Sequence, residues 1–215
     1  MNRDLINDRM NETQKLLAGF GCSPSDYQMA VAAMTAMLTK PRKKQNKDEW
    51  TEPTKNLLLT MPAAGGKTRV VIAAIVYLAL TKTEPMHWET IVIIHPNELT
   101  KLQDEEQWGM VEALLLTYKV KLERCASFAE ARKHIHSEVL VIADEFDYQF
   151  IDKAGSDPFH LFSRKQHKKG YRSLIAVTAT MPDEESILQR FFKRLDFRTI
   201  IPDKKAIVSE KATFK

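Results

Sequence analysis

Three observations predict an α/β fold: a parallel sheet with helices on both faces, in a single domain. Short runs that are apolar at nearly every position recur along the chain, among them "NLLLTM" (56–61), "TIVIIHP" (90–96), "EVLVIAD" (138–144) and "SLIAVTAT" (173–180). Strands of that kind need cover on both sides, which is the signature of parallel sheets. Segments with helical spacing separate these runs, giving a β-α alternation. A glycine pair, Gly65-Gly66, follows the first run in a chain with only 7 glycines, so it marks a turn of special geometry.

Taken in order, residues 1–19 read as a helix stopped by "GFG", and "SPSDYQMAVAAMTAML" as a second helix with Ser23 or Ser25 as N-cap. A basic, proline-punctuated loop, "KPRKKQNKDEWTEPTK", follows. The spacing then predicts a strand at 56–61, a helix from Lys67 to Leu80, a strand at 90–96 and an amphipathic helix from Glu98 to Leu116. "YKVKLE" (118–123) reads as a strand, Phe128 to His134 as a short helix, and 138–144 and 173–180 as further strands. A helix from Glu184 to Lys193 and a last strand at 197–201 complete the pattern. Ligands of such sheets bind beyond the carboxyl ends of the strands.

The bulk numbers exclude several classes. With 215 residues, 44% hydrophobic and 28% charged, the chain is an ordinary globular one, large enough for one well-cored domain. A net charge of +4 permits an anionic partner without requiring one. Cys22 and Cys125 read as free thiols of a reducing compartment, and "HIH" (134–136) lacks partners for a zinc site. The N-terminus has no signal-peptide core and the run from Val70 to Leu80 is too short to span a bilayer. The expected setting is intracellular and cytoplasmic, with a nuclear location also compatible, and without membrane association.

Three strand ends carry chemistry. "MPAAGGKT" (61–68) places backbone N–H groups of a small-residue turn and a helix start around an anion. Lys67 would reach the β- and γ-phosphates of a nucleotide and the Thr68 hydroxyl would coordinate Mg²⁺. The strict phosphate-loop pattern has glycine where Met61 and Ala64 stand; the bland alternative is a helix start with Lys67 solvated and Thr68 capping. "VLVIADEFD" runs an apolar strand into Asp144-Glu145. Asp144 would hold the magnesium shell and Glu145 would orient and deprotonate water, against an acidic turn as the alternative. These two strand ends are expected to be neighbours in the sheet. "VTATMP" (177–182) is the third.

MPxxGxKT, HPNELxxLQ, DEFD and TAT, in this order, resemble the DExD/H-box helicases of superfamily two. The resemblance covers the first RecA-like, phosphate-loop nucleotide-hydrolysing domain, about residues 20–202, and divides the chain into a helical extension (1–22), the helicase ATP-binding domain (23–202) and a tail or linker (203–215). It implies ATP and Mg²⁺ as cofactors. ATP contacts fall on Gln28, Met61, Ala64, Gly65, Gly66, Lys67, Thr68 and Arg69, metal contacts on Thr68 and Asp144, and catalysis on Lys67, Asp144 and Glu145. Methionine or alanine is usual in the family at the Met61 position, but glycine at that of Ala64, where a methyl group would crowd the phosphates unless the adjacent Gly65 absorbs the difference; nucleotide binding is expected to be retained but weakened. Asp147, Thr178 and Thr180 resemble the link between hydrolysis and domain motion; the plain alternative for the threonines is β-propensity at a strand end.

Pro96, Asn97 and Leu99 resemble the segment that touches the backbone of single-stranded RNA or DNA. The alternative is an N-cap at Asn97 with Leu99 and Leu102 as core. Gln28 stands where the family reads adenine, yet Ser25-Asp26-Tyr27-Gln28 also fits a capping box. The basic stretches 40–47 and 162–172 are either phosphate contacts or solvated loops. The resemblance also implies a second RecA-like domain, in cis or in trans, carrying motifs IV to VI and an arginine finger worth about three to five orders of magnitude in rate. Nothing in these residues provides it, so the isolated chain is expected to hydrolyse ATP slowly if at all. Two other readings stand beside this one: a non-catalytic nucleotide-gated scaffold, and the motor lobe of a restriction-type DNA translocase.

Overall fold

The computed structural model describes residues 3–39, 42–43, 50–52, 56–62, 65–80, 88–103, 105–135, 139–147, 172–180, 187–194 and 197–201. Two helices lead: α1 (Arg3–Ala18) and α2 (Asp26–Thr39). The former ends in a Schellman turn, with the Cys22 N–H donated to the Leu17 carbonyl at 3.0 Å and Gly21 at φ 71°, which explains the "GFG" stop. Strands β1 (Arg42–Lys43) and β2 (Trp50–Glu52) pair as a separate antiparallel ribbon.

The remaining strands, β3 (Leu57–Thr60), β4 (Thr90–Ile94), β5 (Lys121–Cys125), β6 (Val139–Ala143), β7 (Arg172–Thr178) and β8 (Arg198–Ile200), form one six-stranded sheet. Its order is β5-β4-β6-β7-β3-β8 and every pair is parallel. Between the strands lie α3 (Lys67–Leu80), α4 (Glu98–Leu102), α5 (Glu105–Thr117), α6 (Phe128–Ala131), a 3₁₀ turn at Arg132–His134 and α7 (Ile187–Arg194). Side chains alternate across the sheet, as the two-residue period of a strand dictates. Leu57, Leu59, Ile91, Ile93, Leu140, Ile142, Ile175 and Val177 join the core beneath α1, α2, α3 and α5. Leu58, Val92, Ile94, Val141, Ala143, Leu174 and Ala176 join a second core with Phe128, Phe146 and Phe192. Both faces are therefore packed, which is why these strands carry no polar alternation.

Three expectations need correction. Strand β3, which leads into the glycine turn, and the acidic strand β6 are not neighbours as expected, because β7 lies between them and pairs with both. The helix expected from Glu98 to Leu116 is two helices. Gln103 is extended (ψ 145°) and the Lys101 carbonyl, which in a continuous helix would accept from the Glu105 N–H, instead accepts from the Arg124 guanidinium of β5. The strand expected at 118–123 starts three residues later. Helix α5 closes there in its own Schellman turn, with the Val120 N–H on the Leu115 carbonyl at 3.1 Å and Lys119 left-handed at φ 57°. Among the described residues no helix is long and apolar enough to cross a membrane.

Candidate functional site

The carboxyl edge of the sheet brings two strand ends together. At the end of β3, the Met61 N–H donates to the Thr178 carbonyl at 2.9 Å, so the chain keeps pairing with β7 one residue beyond the strand. The Met61 side chain is fully buried in the core, so at this position of the loop it packs rather than faces a ligand. A turn follows, closed by the Gly65 N–H on the Pro62 carbonyl at 2.9 Å. A Cβ on Gly65 would stand 2.9 Å from that same carbonyl oxygen, so only glycine fits. Gly66 sits at φ 82°, a conformation glycine adopts without strain, and its carbonyl accepts the first bond of α3 from the Val70 N–H at 3.0 Å. Lys67 and Thr68 thus open a 14-residue helix whose first-turn N–H groups have no partner within it. Ala64 lies outside the described residues.

Across β7, the end of β6 carries the acidic pair. The Asp144 N–H bonds the Ile94 carbonyl at 3.0 Å, and the Asp144 carboxylate accepts from the Glu145 N–H, also at 3.0 Å. Glu145 is left-handed at φ 46°, strained for a residue with a Cβ. The two ends meet: Lys67 Nζ lies 3.8 Å from Glu145 Oε1, with the lysine side chain only 13% exposed and the glutamate 51%. Thr68 and Asp144 face a small common cavity of about 30 Å³ with His95, Thr100 and Trp108. Burial pushes the Asp144 carboxyl above its usual range; Lys67 and the Glu145 N–H oppose that, while Glu145 and Asp147 add to it. A cation beside Asp144 would relieve the same penalty. A hydroxyl and a carboxylate are hard oxygen donors suited to Mg²⁺, which takes few protein ligands and fills its shell with phosphates and water. No cluster of three or more His, Cys, Asp or Glu groups able to hold a metal occurs among the described residues.

Gln28 does something the sequence did not reveal. The capping box is formed, with Gln28 N–H on Ser25 Oγ at 3.2 Å and Ser25 N–H on Gln28 Oε1 at 3.1 Å. The remaining amide nitrogen donates to the Gly65 carbonyl at 3.0 Å, and a Cβ on Gly66 would stand 2.3 Å from it. One side chain therefore starts α2 and braces the glycine turn. Arg69, on the same helix start, is exposed.

The other sequence-derived positions divide. Asn97 caps α4, its Oδ1 accepting from the Thr100 N–H at 2.8 Å and the Thr100 hydroxyl at 3.0 Å. Leu99 and Leu102 are 69% and 55% exposed, so they are not the core residues of the plainer alternative. Pro96 is half-buried beside them. Thr178 is fully buried and its hydroxyl donates to the Thr180 carbonyl at 2.8 Å rather than to Asp147. The basic stretch 40–47 is described only as the backbone of Arg42 and Lys43, and 162–172 only at Arg172; the rest, with Tyr171 and the tail, lies outside the described residues. Cys22 and Cys125 are free and buried; burial raises both thiols, Cys125 to about 11, so neither is a ready nucleophile.

A group of residues beside the site was not singled out from the sequence. His95 is buried, edge-on to Trp108 with ring centroids 5.9 Å apart, and its Nε2 accepts from Arg124 Nε at 3.4 Å. Burial, with the Arg124 and Lys101 charges, lowers its pKa to about 4, so the ring is neutral at neutral pH. Comparison with protein-family models finds no match, and comparison with curated proteins finds none either.

Proposed function

We propose that this chain is the ATP-binding lobe of a DExD-type superfamily-two helicase or translocase, with a RecA-like fold. The observation that supports it best is the approach of Lys67 to Glu145 across an intervening strand, with their chain neighbours Thr68 and Asp144 both lining one cavity. In this reading the Gly65-Gly66 turn and the start of α3 cradle the phosphates of ATP, and Lys67 leaves Glu145 for the β- and γ-phosphate oxygens. Thr68 and Asp144 hold Mg²⁺, which supplies charge neutralisation on the phosphates. Glu145, half-exposed at the mouth, orients the attacking water and accepts its proton. Asp147, Thr178 and Thr180 pass the phosphate state to a second RecA-like domain, in cis or in trans. Pro96, Asn97 and Leu99 face single-stranded RNA or DNA.

The assignment is tested by calorimetric titration with MgATP. The parent is expected to bind, and Lys67→Ala to bind at least about tenfold more weakly, the worth of one charge-assisted phosphate contact. Equal affinities would refute it.

One observation favours a second reading, a nucleotide-gated scaffold without turnover. Both ends of the Gln28 amide are engaged, in the capping box and on Gly65, so reading an adenine edge requires it to give up a bond. MgATP binding without hydrolysis, even with nucleic acid and a second RecA-like lobe present, would select that reading. ATPase stimulated by duplex DNA without strand separation would instead select a restriction-type translocase.

A further inference from the structure

Arg124 stands on the sheet's edge strand β5, away from every residue assigned to the nucleotide, yet its guanidinium engages three separate elements. One Nη donates to the Lys101 carbonyl at the end of α4, Nε faces His95 Nε2 at 3.4 Å, and the group lies 5.8 Å over the Trp108 ring of α5. The first of these contacts takes the carbonyl that the Glu105 N–H would need to join α4 to α5, so Arg124 is fastened at the break between the helices. His95 and Trp108 in turn line the cavity that Thr68 and Asp144 share. A neutral His95 accepts the Arg124 bond, which a protonated ring would repel. The α4 backbone is thus fastened to the wall of the nucleotide site through one planar fork.

We propose that Arg124 is a positioning residue that ties the Pro96–Gln103 segment to the occupancy of the Thr68–Asp144 cavity. This rests on the nucleotide-binding reading above. Filling the space beside Asp144 and Thr68 moves the His95–Trp108 wall, and the fork transmits that movement to the end of α4. A lysine keeps the charge but cannot donate in two fixed directions while lying over the indole.

Amide hydrogen exchange over residues 96–103, with and without MgATP, tests the proposal beside calorimetric MgATP affinity. In the parent, MgATP is expected to change exchange there by about threefold or more, as a coupling of ordinary size would. Arg124→Met and Arg124→Lys should bind MgATP within about threefold of the parent while exchange over 96–103 no longer responds. Should Arg124→Met not fold, Arg124→Lys carries the comparison. A response retained in the variants, a parent that binds MgATP without any response at 96–103, or variants that lose MgATP affinity together with the response each overturn the proposal. A parent that binds no MgATP refutes the nucleotide-binding reading itself, a different outcome.

Discussion

The ends of β3 and β6 each carry a residue at positive φ, one a glycine and the other a glutamate. After β3, the left-handed position is filled by Gly66 at φ 82°, where it costs nothing. After β6, it is filled by Glu145 at φ 46°, where a side chain is strained by about 1 kcal/mol. At the first end a Cβ would meet the chain's own atoms, the Pro62 carbonyl from Gly65 and the Gln28 amide from Gly66. The second presents a carboxylate, and a glycine there would have no group to present. The Lys67 ammonium lies 3.8 Å from the half-exposed Glu145 carboxylate, a pair too exposed to offset the strain by much.

This contrast can be broken experimentally. The largest effect is expected at Gly66→Ala, which combines a left-handed alanine with a Cβ 2.3 Å from the Gln28 amide. Chemical denaturation should show a loss of about 2–3 kcal/mol. Gln28→Ala should cost less in that background than it does alone, because the brace is already displaced.

Comparable in size is an acid-limb effect from the wall of the site. His95 has a folded-state pKa of about 4 against an ordinary 6.5. Below pH 6.5 the unfolded chain therefore takes up a proton that the folded chain refuses. Stability is full above that pH and falls toward pH 4, by about 3 kcal/mol at most from this residue. His95→Gln should flatten that part of the stability profile; an unchanged profile would contradict the burial assigned to the ring.

At Glu145 the backbone preference runs the same way as at Gly66: glycine there should be more stable than alanine by about 1 kcal/mol. Equal stabilities would mean the left-handed backbone is not strained. The smallest shift belongs to Asp144→Asn, which removes a charge that burial disfavours and should raise stability by roughly 0.5–1 kcal/mol. A clear loss in thermal melting would show that Asp144 is instead a structural anchor.

Much of this architecture was legible because local signals were strong. The β-α alternation, the helix from Lys67 to Leu80 and the strands near 57–60, 90–94 and 139–143 follow from apolar runs and a glycine turn. What the sequence hid was long-range. Apolar runs do not say which strand lies beside which, so β7 between β3 and β6 was invisible. The α4–α5 break has no proline or glycine in "KLQDEEQ" to announce it, and the group found on the Lys101 carbonyl is an arginine more than 20 positions away. Lys119 and Glu145 are left-handed without the glycine or asparagine that would announce it. Gln28 fitted two patterns, and only the fold shows the capping box formed and the amide on Gly65.

The central claim is that β3 and β6, though separated by β7, serve one triphosphate and its metal. ATP titration with and without Mg²⁺, in the parent and in Asp144→Ala, tests it most directly. The account predicts that Mg²⁺ tightens ATP binding in the parent and loses most of that effect in the variant, while metal-free ATP still binds through the glycine turn and Lys67. Full Mg²⁺ dependence retained in Asp144→Ala would contradict it.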